Sequence, residues 1–417
     1  MPKPGHRARR LPLVLALGVA IAGPGLAAGP AGAAPGCDLH AHPGGSDSAS
    51  GSADAPLRTA QHLVSTLAPG EVGCLAAGQV FEESLRITNA GTREQPITLR
   101  SEPGGARATV RGRVVVTDLA HDVLIDDLVL DGSTAGLVTS PYVYGRRITF
   151  SNNDVSNGHA GRSCFLIGSN SHVAHDITLH GNRIHDCGRM PATNLDHGIY
   201  ALDTRNLVVS GNHIHGNADW GVHLYPNADD SHIVNNTIDR NGSGIIFAGD
   251  YGEASDGNIV TRNLITNSLI KADVEAWWPS GNPVGTGNVV HDNCVHGGPS
   301  AFSHRGGFLE YDNIIEDPLY VDGSGGDYRL QAGSPCAGRG ATAEPTEPPP
   351  PAPNQDPTAS FAAAPVAPEV GETVTFTDAS TDDGAIAARA WDLDGDGAYD
   401  DSTAPAPTRS YSSAGDV

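Results

Sequence analysis

From Val123 onward one phrase of apolar and polar positions recurs: three alternating apolar residues, a polar corner, then a second short apolar stretch. Copies read VLIDDLVLDG, ITFSNNDVSNG, ITLHGNRIHDCG and LVVSGNHIHGN, starting at Val123, Ile148, Ile177 and Leu207. They continue as HIVNNTIDRNG, NIVTRNLITNS and NVVHDNCVHGG from His232, Asn258 and Asn288. The corner asparagines are Asn153, Asn182, Asn212, Asn236, Asn263 and Asn293, spaced by 29, 30, 24, 27 and 30 residues. Two places after each stands an apolar residue: Val155, Ile184, Ile214, Ile238, Ile265 and Val295. Strands this short, alternating with period 2 and broken by Gly and Asn, form neither helices nor a broad flat sheet. Stacked at a fixed repeat, they pair with the equivalent strand above and below and bury every second side chain inside a coil. Corner asparagines tolerate unusual backbone angles, and stacked Asn side chains hydrogen-bond in a ladder. The pattern predicts an all-β chain built on a parallel β-helix.

The repeat sets the domain plan. Residues 57–340 form the β-helix, with 57–120 its first coils and Ala60–Leu67 a short amphipathic helix covering the open end. The stretch DPLYVDGSGGDYRLQAGSPC, 317–336, leaves the repeat and closes the coil. Residues 34–56 read as a flexible N-terminal segment, and 341–357 as a stiff Pro-rich linker. Residues 358–417 alternate over short runs such as ETVTFTD, a small β-sandwich pattern that stops where a further strand is expected.

Composition sharpens this picture. The 52 Gly and 30 Pro of 417 residues exclude long helices, while 39% hydrophobic residues suffice for a core. Residues 1–33 read as an export signal: a basic start to Arg10, the apolar run Leu11–Ala22 and the cleavage site Ala31-Gly32-Ala33. That run is too short to span a bilayer, and no later stretch is long enough, so no membrane span is expected in the mature chain. Removing the signal takes four cations with it, so the formal charge of −23 becomes −27. A surface this acidic repels phosphate backbones, which excludes nucleic acid as a partner. Cys37, Cys74, Cys164, Cys187, Cys294 and Cys336 are disulfide candidates in an exported chain. Sequence order suggests 37–74, 164–187 and 294–336, among fifteen possible connectivities. The mature chain is expected to be a secreted monomer.

On these motifs, residues 57–340 resemble the right-handed parallel β-helix proteins of the pectate-lyase-like superfamily. QPITLRSEPGG followed by HDVLIDDLVLDG is similar to the opening coils of secreted polysaccharide lyases of the chondroitinase B and alginate lyase kind. Residues 358–417 resemble a PKD domain through PTASF, the VTFTDASTDDG run and Trp391-Asp392 with its DGDG. The resemblance implies a spacing, adhesive or substrate-attaching role for that module. It also implies, for lyases, a Lys base with an Arg partner on a neighbouring coil. Lys271 is the only lysine after the signal, and no Arg stands at the aligned positions one coil away.

Aligning coils by their corner asparagines predicts which residues face out. Ile199, Val222, Ile245 and Ala272 point inward. Tyr200, His223, Ile246 and Asp273 form one outward row, and Leu202, Tyr225, Ala248 and Glu275 another. Asp196-His197 and Asp219-Trp220 stand just before them. Ten of the 18 histidines fall between His159 and His232, and imidazole is the side chain suited to proton transfer near neutrality. Uronate β-elimination needs a base for the C5 proton, a cation beside the carboxylate and an acid for the leaving oxygen. His197 or His223 is the candidate base, Tyr200 or Tyr225 the acid, and Arg205 or Lys271 the cation. Asp196, Asp219, Trp220, Asp273 and Glu275 are candidate substrate-binding residues.

The expected function is a secreted protein that binds an extracellular acidic polysaccharide and cleaves it by β-elimination. One alternative is a glycoside hydrolase using Asp196 with Asp219, or Asp273 with Glu275, as paired carboxylates. The other is a non-catalytic glycan-binding or adhesive surface protein. Asp392, Asp394, Asp396 and Asp400 match the first half of a calcium loop, making Ca²⁺ the one candidate cofactor, with no organic cofactor expected. The sequons at Asn235 and Asn241 overlap coil corners and read as structural.

Overall fold

The computed structural model of the chain describes residues 36–303, 305–341, 359–380 and 388–413. The export segment 1–33 lies outside them, as does the linker from residue 342 onward. The chain divides into two compact units, with the boundary between Ala341 and Thr342.

The first unit is a parallel β-solenoid with three long sheets of 13, 10 and 9 strands. One coil shows the plan. Val208–Ser210 lies in the first sheet, His213–His215 in the nine-stranded sheet and Trp220–Leu224 in the ten-stranded sheet. Alternation places the inward residues in continuous columns. Val155, Ile184, Ile214, Ile238, Ile265 and Val295 pair in register through successive coils. All six are buried, at about 1.5–3 kcal/mol for each large aliphatic side chain removed from water.

Asparagine ladders hold that register. Asn153, Asn182, Asn212, Asn236, Asn263 and Asn293 each donate a side-chain N–H to Oδ1 of the asparagine one coil on, at 2.8–3.0 Å. The ladder runs one step beyond the repeats read from sequence, to Asn313. Each member's backbone N–H bonds the same oxygen, and its other side-chain N–H reaches the carbonyl of a preceding coil. Two shorter ladders, Asn217 on Asn241 and Asn258 on Asn288, repeat the device at other corners. Asn241 of one sequon is therefore buried in a ladder. The unusual backbone angle falls one place earlier than expected. Asn152, Gly181, Gly211, Asn235, Arg262, Asp292 and Asp312 have positive φ, and the ladder asparagines do not. The bend thus belongs to one residue and the side-chain clamp to the next.

The predicted cap is present as the helix Ala60–Thr66, whose Thr59 side chain accepts from the His62 N–H at 3.1 Å. Its Leu63 sits so close to the backbone at Gly73 that a Cβ there would lie 2.3 Å from Leu63 Cδ2. The segment 34–56 is not a loose tail where it is described. Leu39–Ala41 pairs with Val72–Leu75 as the first strand of the solenoid, and Cys37 is bonded to Cys74. A three-residue strand among Gly and Ser leaves little alternation to read, which hid it. All three disulfides follow sequence order: Cys37–Cys74, Cys164–Cys187 and Cys294–Cys336.

The closing segment folds back as the hairpin Tyr320–Asp322 with Asp327–Leu330. Tyr328 stacks on His213 at 5.4 Å, and the Tyr320 hydroxyl lies 3.1 Å from Thr266 Oγ1. Burial, helped by His185 and Arg183, pushes His215 down to about 4 beneath this hairpin. In the second unit, Phe361–Ala364, Thr373–Asp378 and Thr408–Ser410 form an antiparallel sheet, with the Trp391 ring against Phe361 and Phe376.

Asn212 makes four side-chain bonds, and Asn212→Ala strands the Asn182 backbone N–H. The expected cost is roughly 2–5 kcal/mol, read by denaturant unfolding. A second prediction concerns acid. The unfolded chain protonates His215 at its ordinary 6.5, whereas the fold keeps it neutral to about 4. Its stabilisation is complete above 6.5 and is lost as pH falls toward 4. Asp219 and Asp273, both pushed up to about 6, slope the opposite way between 3.8 and 6. His215→Gln is therefore expected to lose less thermal stability than the native chain on the same acidification, by melting temperature at each pH.

Candidate functional site

The outward face of the ten-stranded sheet carries the site. Its register pairs Tyr200 with His223, His223 with Ile246, Ile246 with Glu275 and Glu275 with Ser303. The last predicted step was two residues out: Glu275, not Asp273, continues the Tyr200 row, and Trp277 follows Ala248. Val274 rather than Ala272 fills the interior place. The cause is local. Lys271–Asp273 precede the strand Val274–Trp277, and the Asp273 carboxylate accepts from the Ser268 and Gly298 N–H groups, each at 3.2 Å.

Aromatic rings pack the face. His223 stacks between Tyr200 at 5.0 Å and Tyr225 at 5.3 Å, and Trp220 lies 4.7 Å from it. Trp220 Nε1 donates to Glu275 Oε1 at 2.5 Å, tying side chains two coils apart. Lys271 Nζ sits 3.6 Å from the centre of the Trp220 ring, a cation–π contact. The Tyr225 hydroxyl donates to Asp250 Oδ2 at 3.0 Å. A groove of about 650 Å³ opens here, lined by Trp220, His223, Tyr225, Lys271, Glu275 and Arg305 among others.

Burial dominates the electrostatics. It pushes His197 down to about 3 and, with the His197 and Lys271 charges, holds His223 well below the ordinary imidazole range. Asp219 is pushed up to about 6 by burial, with Asp196 and Glu275 adding to the rise and Lys271 opposing it. Burial likewise raises Glu275, against the Trp220 N–H, Lys271 and Arg305. Tyr200 and Tyr225 are raised by burial, Tyr225 also by Asp250, so both keep their phenolic protons.

Other candidates lie elsewhere. Arg205 pairs with Asp229 at 3.1 Å and donates to the Asn227 carbonyl and side chain, in a strand paired with the first sheet. The Asp196 carboxylate accepts from Thr193 N and Oγ1 and from Arg189 N and Nε, fixing the preceding loop. Burial would raise it, but those bonds hold it below the usual carboxylate range. Of the two carboxylate pairs considered for glycoside hydrolysis, Glu275 lines the groove, while Asp196 and Asp273 accept hydrogen bonds from backbone N–H groups. Sequence reasoning missed Arg305, Asp250 and Trp277. Arg305 follows the strand Phe302–Ser303, one coil beyond Glu275, where the irregular spacing after Asn293 hides the alignment. Asp250 ends an eight-residue strand that outruns the repeat.

In the second unit, carboxylate oxygens of Asp392, Asp394 and Asp401 lie within 4.8 Å of one another, the one such convergent group of three metal-capable side chains among the described residues. Asp401 takes the place expected of Asp400, and Asp396 stands outside the group. Arg409 already pairs with Asp394 at 3.2 Å and with Asp401 at 2.7 Å.

Residues 104–295 match the family described as "Periplasmic copper-binding protein (NosD)". No curated protein matches the chain. Among solved structures, pectate lyase Pel9A superposes with a TM-score of 0.53 at 14% identity, covering 71% of this chain and 90% of that one. A GH136 lacto-N-biosidase from Eubacterium ramulus gives 0.46 at 14% identity, covering 67% of each chain. An alginate lyase from Paenibacillus sp. str. FPU-7 gives 0.42 at 17% identity, covering 61% of this chain and 95% of that one. The fold is that of the right-handed β-helix proteins, with polysaccharide-active enzymes as structural neighbours. At such identities the likeness is one of fold alone.

Proposed function

We propose that the chain is a secreted carbohydrate-active protein that binds an acidic polysaccharide in this groove and cleaves it by β-elimination. One observation carries the reading: Lys271 and Arg305 line the same groove as the His223 imidazole and the Tyr225 phenol. In a chain of formal charge −23, these two cations offset Asp250 and Glu275 in the same lining and give a uronate carboxylate two cationic partners. Arg305 supplies an Arg from the coil next to that of Lys271, as the likeness to lyases implies, but in this reading Lys271 is a neutralising cation and His223 takes the place of the Lys base. Secretion accords with six cysteines all joined in disulfides. The second unit serves in this reading as a PKD-like spacer or attachment module.

The roles follow from position. Lys271 and Arg305 neutralise the carboxylate and so make the neighbouring C–H more acidic. The free nitrogen of His223 takes that proton. Tyr225 rotates its hydroxyl from Asp250 to the leaving oxygen, and its raised pKa keeps the proton available until then. Trp277, 41% exposed at the rim, offers a flat face to a sugar ring.

The test is incubation with a panel of uronate polymers, following ultraviolet absorbance from unsaturated ends. His223→Ala is expected to lower turnover on the order of a hundredfold or more while the fold is kept. Lys271→Ala and Arg305→Ala should each weaken polymer binding by about tenfold, whereas Arg205→Ala should leave it unchanged. Binding without unsaturated products on any polymer would mark a glycan-binding protein instead.

A further inference from the structure

The innermost side chains of the site stand in a line that ends in the groove. Asp219 Oδ2 lies 3.7 Å from His197 Nδ1, and His197 Nε2 lies 3.0 Å from His223 Nδ1. Asp219, His197 and His223 are 5%, 0% and 4% exposed. His197 Nδ1 is buried and meets no partner at full hydrogen-bond geometry, and the Asn194 backbone lies close enough to the ring to favour its protonated form. His223 has Nδ1 committed to His197, so Nε2 is the nitrogen left for the groove it lines.

We propose that Asp219, His197 and His223 form a buried proton relay, in which His223 takes a proton from the bound saccharide and Asp219, two side chains away, ends up protonated. This deepens the lyase reading and rests on it only for the identity of the proton taken.

The tautomers make the step balance. Before it, His223 donates Nδ1–H to His197 Nε2, His197 turns Nδ1–H toward the Asp219 carboxylate, and His223 Nε2 carries a lone pair. The C–H bond of the sugar then breaks, its electron pair stays on carbon, and a new N–H forms at His223 Nε2. The Nδ1 proton of His223 passes to His197 Nε2, and the Nδ1 proton of His197 passes to Asp219. Both imidazoles finish neutral, with Asp219 a neutral acid and His223 Nε2–H now a donor. The 3.7 Å gap between Asp219 and His197 must shorten, as catalytic hydrogen bonds commonly do when substrate closes a site.

The surroundings favour this route. A Ser-His-Asp triad keeps its carboxylate ionised because its imidazolium is tolerated. Here burial, with Lys271 nearby, opposes an imidazolium at either histidine and at His197 outweighs Asp196 and the Asn194 backbone, which favour one, while Asp219 is pushed up to about 6. The charged groups bearing on Asp219 are Asp196, Glu275 and Lys271. Those around His223 are His197 and Lys271, with the rings of Tyr200, Tyr225 and Trp220 against it. His197 touches no substrate and is a positioning residue that also passes the proton.

The experiment needs no polymer. The full chain, labelled with ¹⁵N in histidine and ¹³C in aspartate, is titrated by NMR. The Asp219 carboxyl is expected to titrate with a midpoint of about 6, and His223 to switch from the Nδ1–H to the Nε2–H tautomer at the same midpoint, with neither histidine becoming imidazolium. Asp219→Asn should abolish the switch, and Asp273→Asn should leave it intact, although Asp273 is also raised to about 6. Protonation of His223 to imidazolium, or one tautomer throughout the titration, would overturn the relay. Should Asp219→Asn fail to fold, the native titration still decides. Absence of cleavage on every polymer would count against the lyase reading and leave the NMR result standing on its own.

Discussion

The asparagine ladder is the interaction on which everything else in the first unit depends. One amide side chain satisfies the backbone N–H of the coil before it, a carbonyl of that same neighbourhood and the next asparagine. Buried amides left unpaired would each cost about 1–3 kcal/mol, so every rung that forms favours the rungs beside it. The ladder ties each polar corner to the next through bonds of 2.8–3.0 Å. The apolar columns then fall into place beside it, because a strand whose corner is pinned cannot slip by one residue.

Fixed register is also what assembles the groove. Trp220 and Glu275 are 55 residues apart, yet their side chains meet because the strands that carry them, two coils apart, are held in fixed pairing through the strand between. Lys271 over Trp220, Arg305 one coil beyond Glu275 and the stacked Tyr200, His223 and Tyr225 are contributions from separate coils. The solenoid's strands hold the aromatic members of the set, and short loops beside them hold Lys271 and Arg305. The cost falls on charge: burial shifts His197, His223, Asp219 and Glu275 toward their neutral forms.

The fold was legible because its two determinants, alternation and corner asparagine, are both local. One column of six inward residues, Val155 to Val295, follows from the repeat alone, and all six are buried where expected, whereas in the second inward set Val274 replaces Ala272. The site was legible only as far as the repeat stayed regular. Tyr200, His223 and Tyr225 were placed on the correct face, but the loop at Lys271–Asp273 broke the count and exchanged Asp273 for Glu275. Arg205 drew attention as a nearby cation, and only geometry shows it spent on Asp229 while Arg305 lines the groove. Partners chosen across coils are invisible to a reading that moves along the chain.

The ladder steps differ in length, at 29, 30, 24, 27, 30 and 20 residues, yet the strands on either side keep the same pairing. All of that variation is absorbed in the loops between strands. Insertions and deletions at the rim therefore leave the strand-borne side chains of the groove where they are. A chain of this kind can lengthen, shorten or exchange the walls of its groove by single mutational events, with the sheets beneath unchanged.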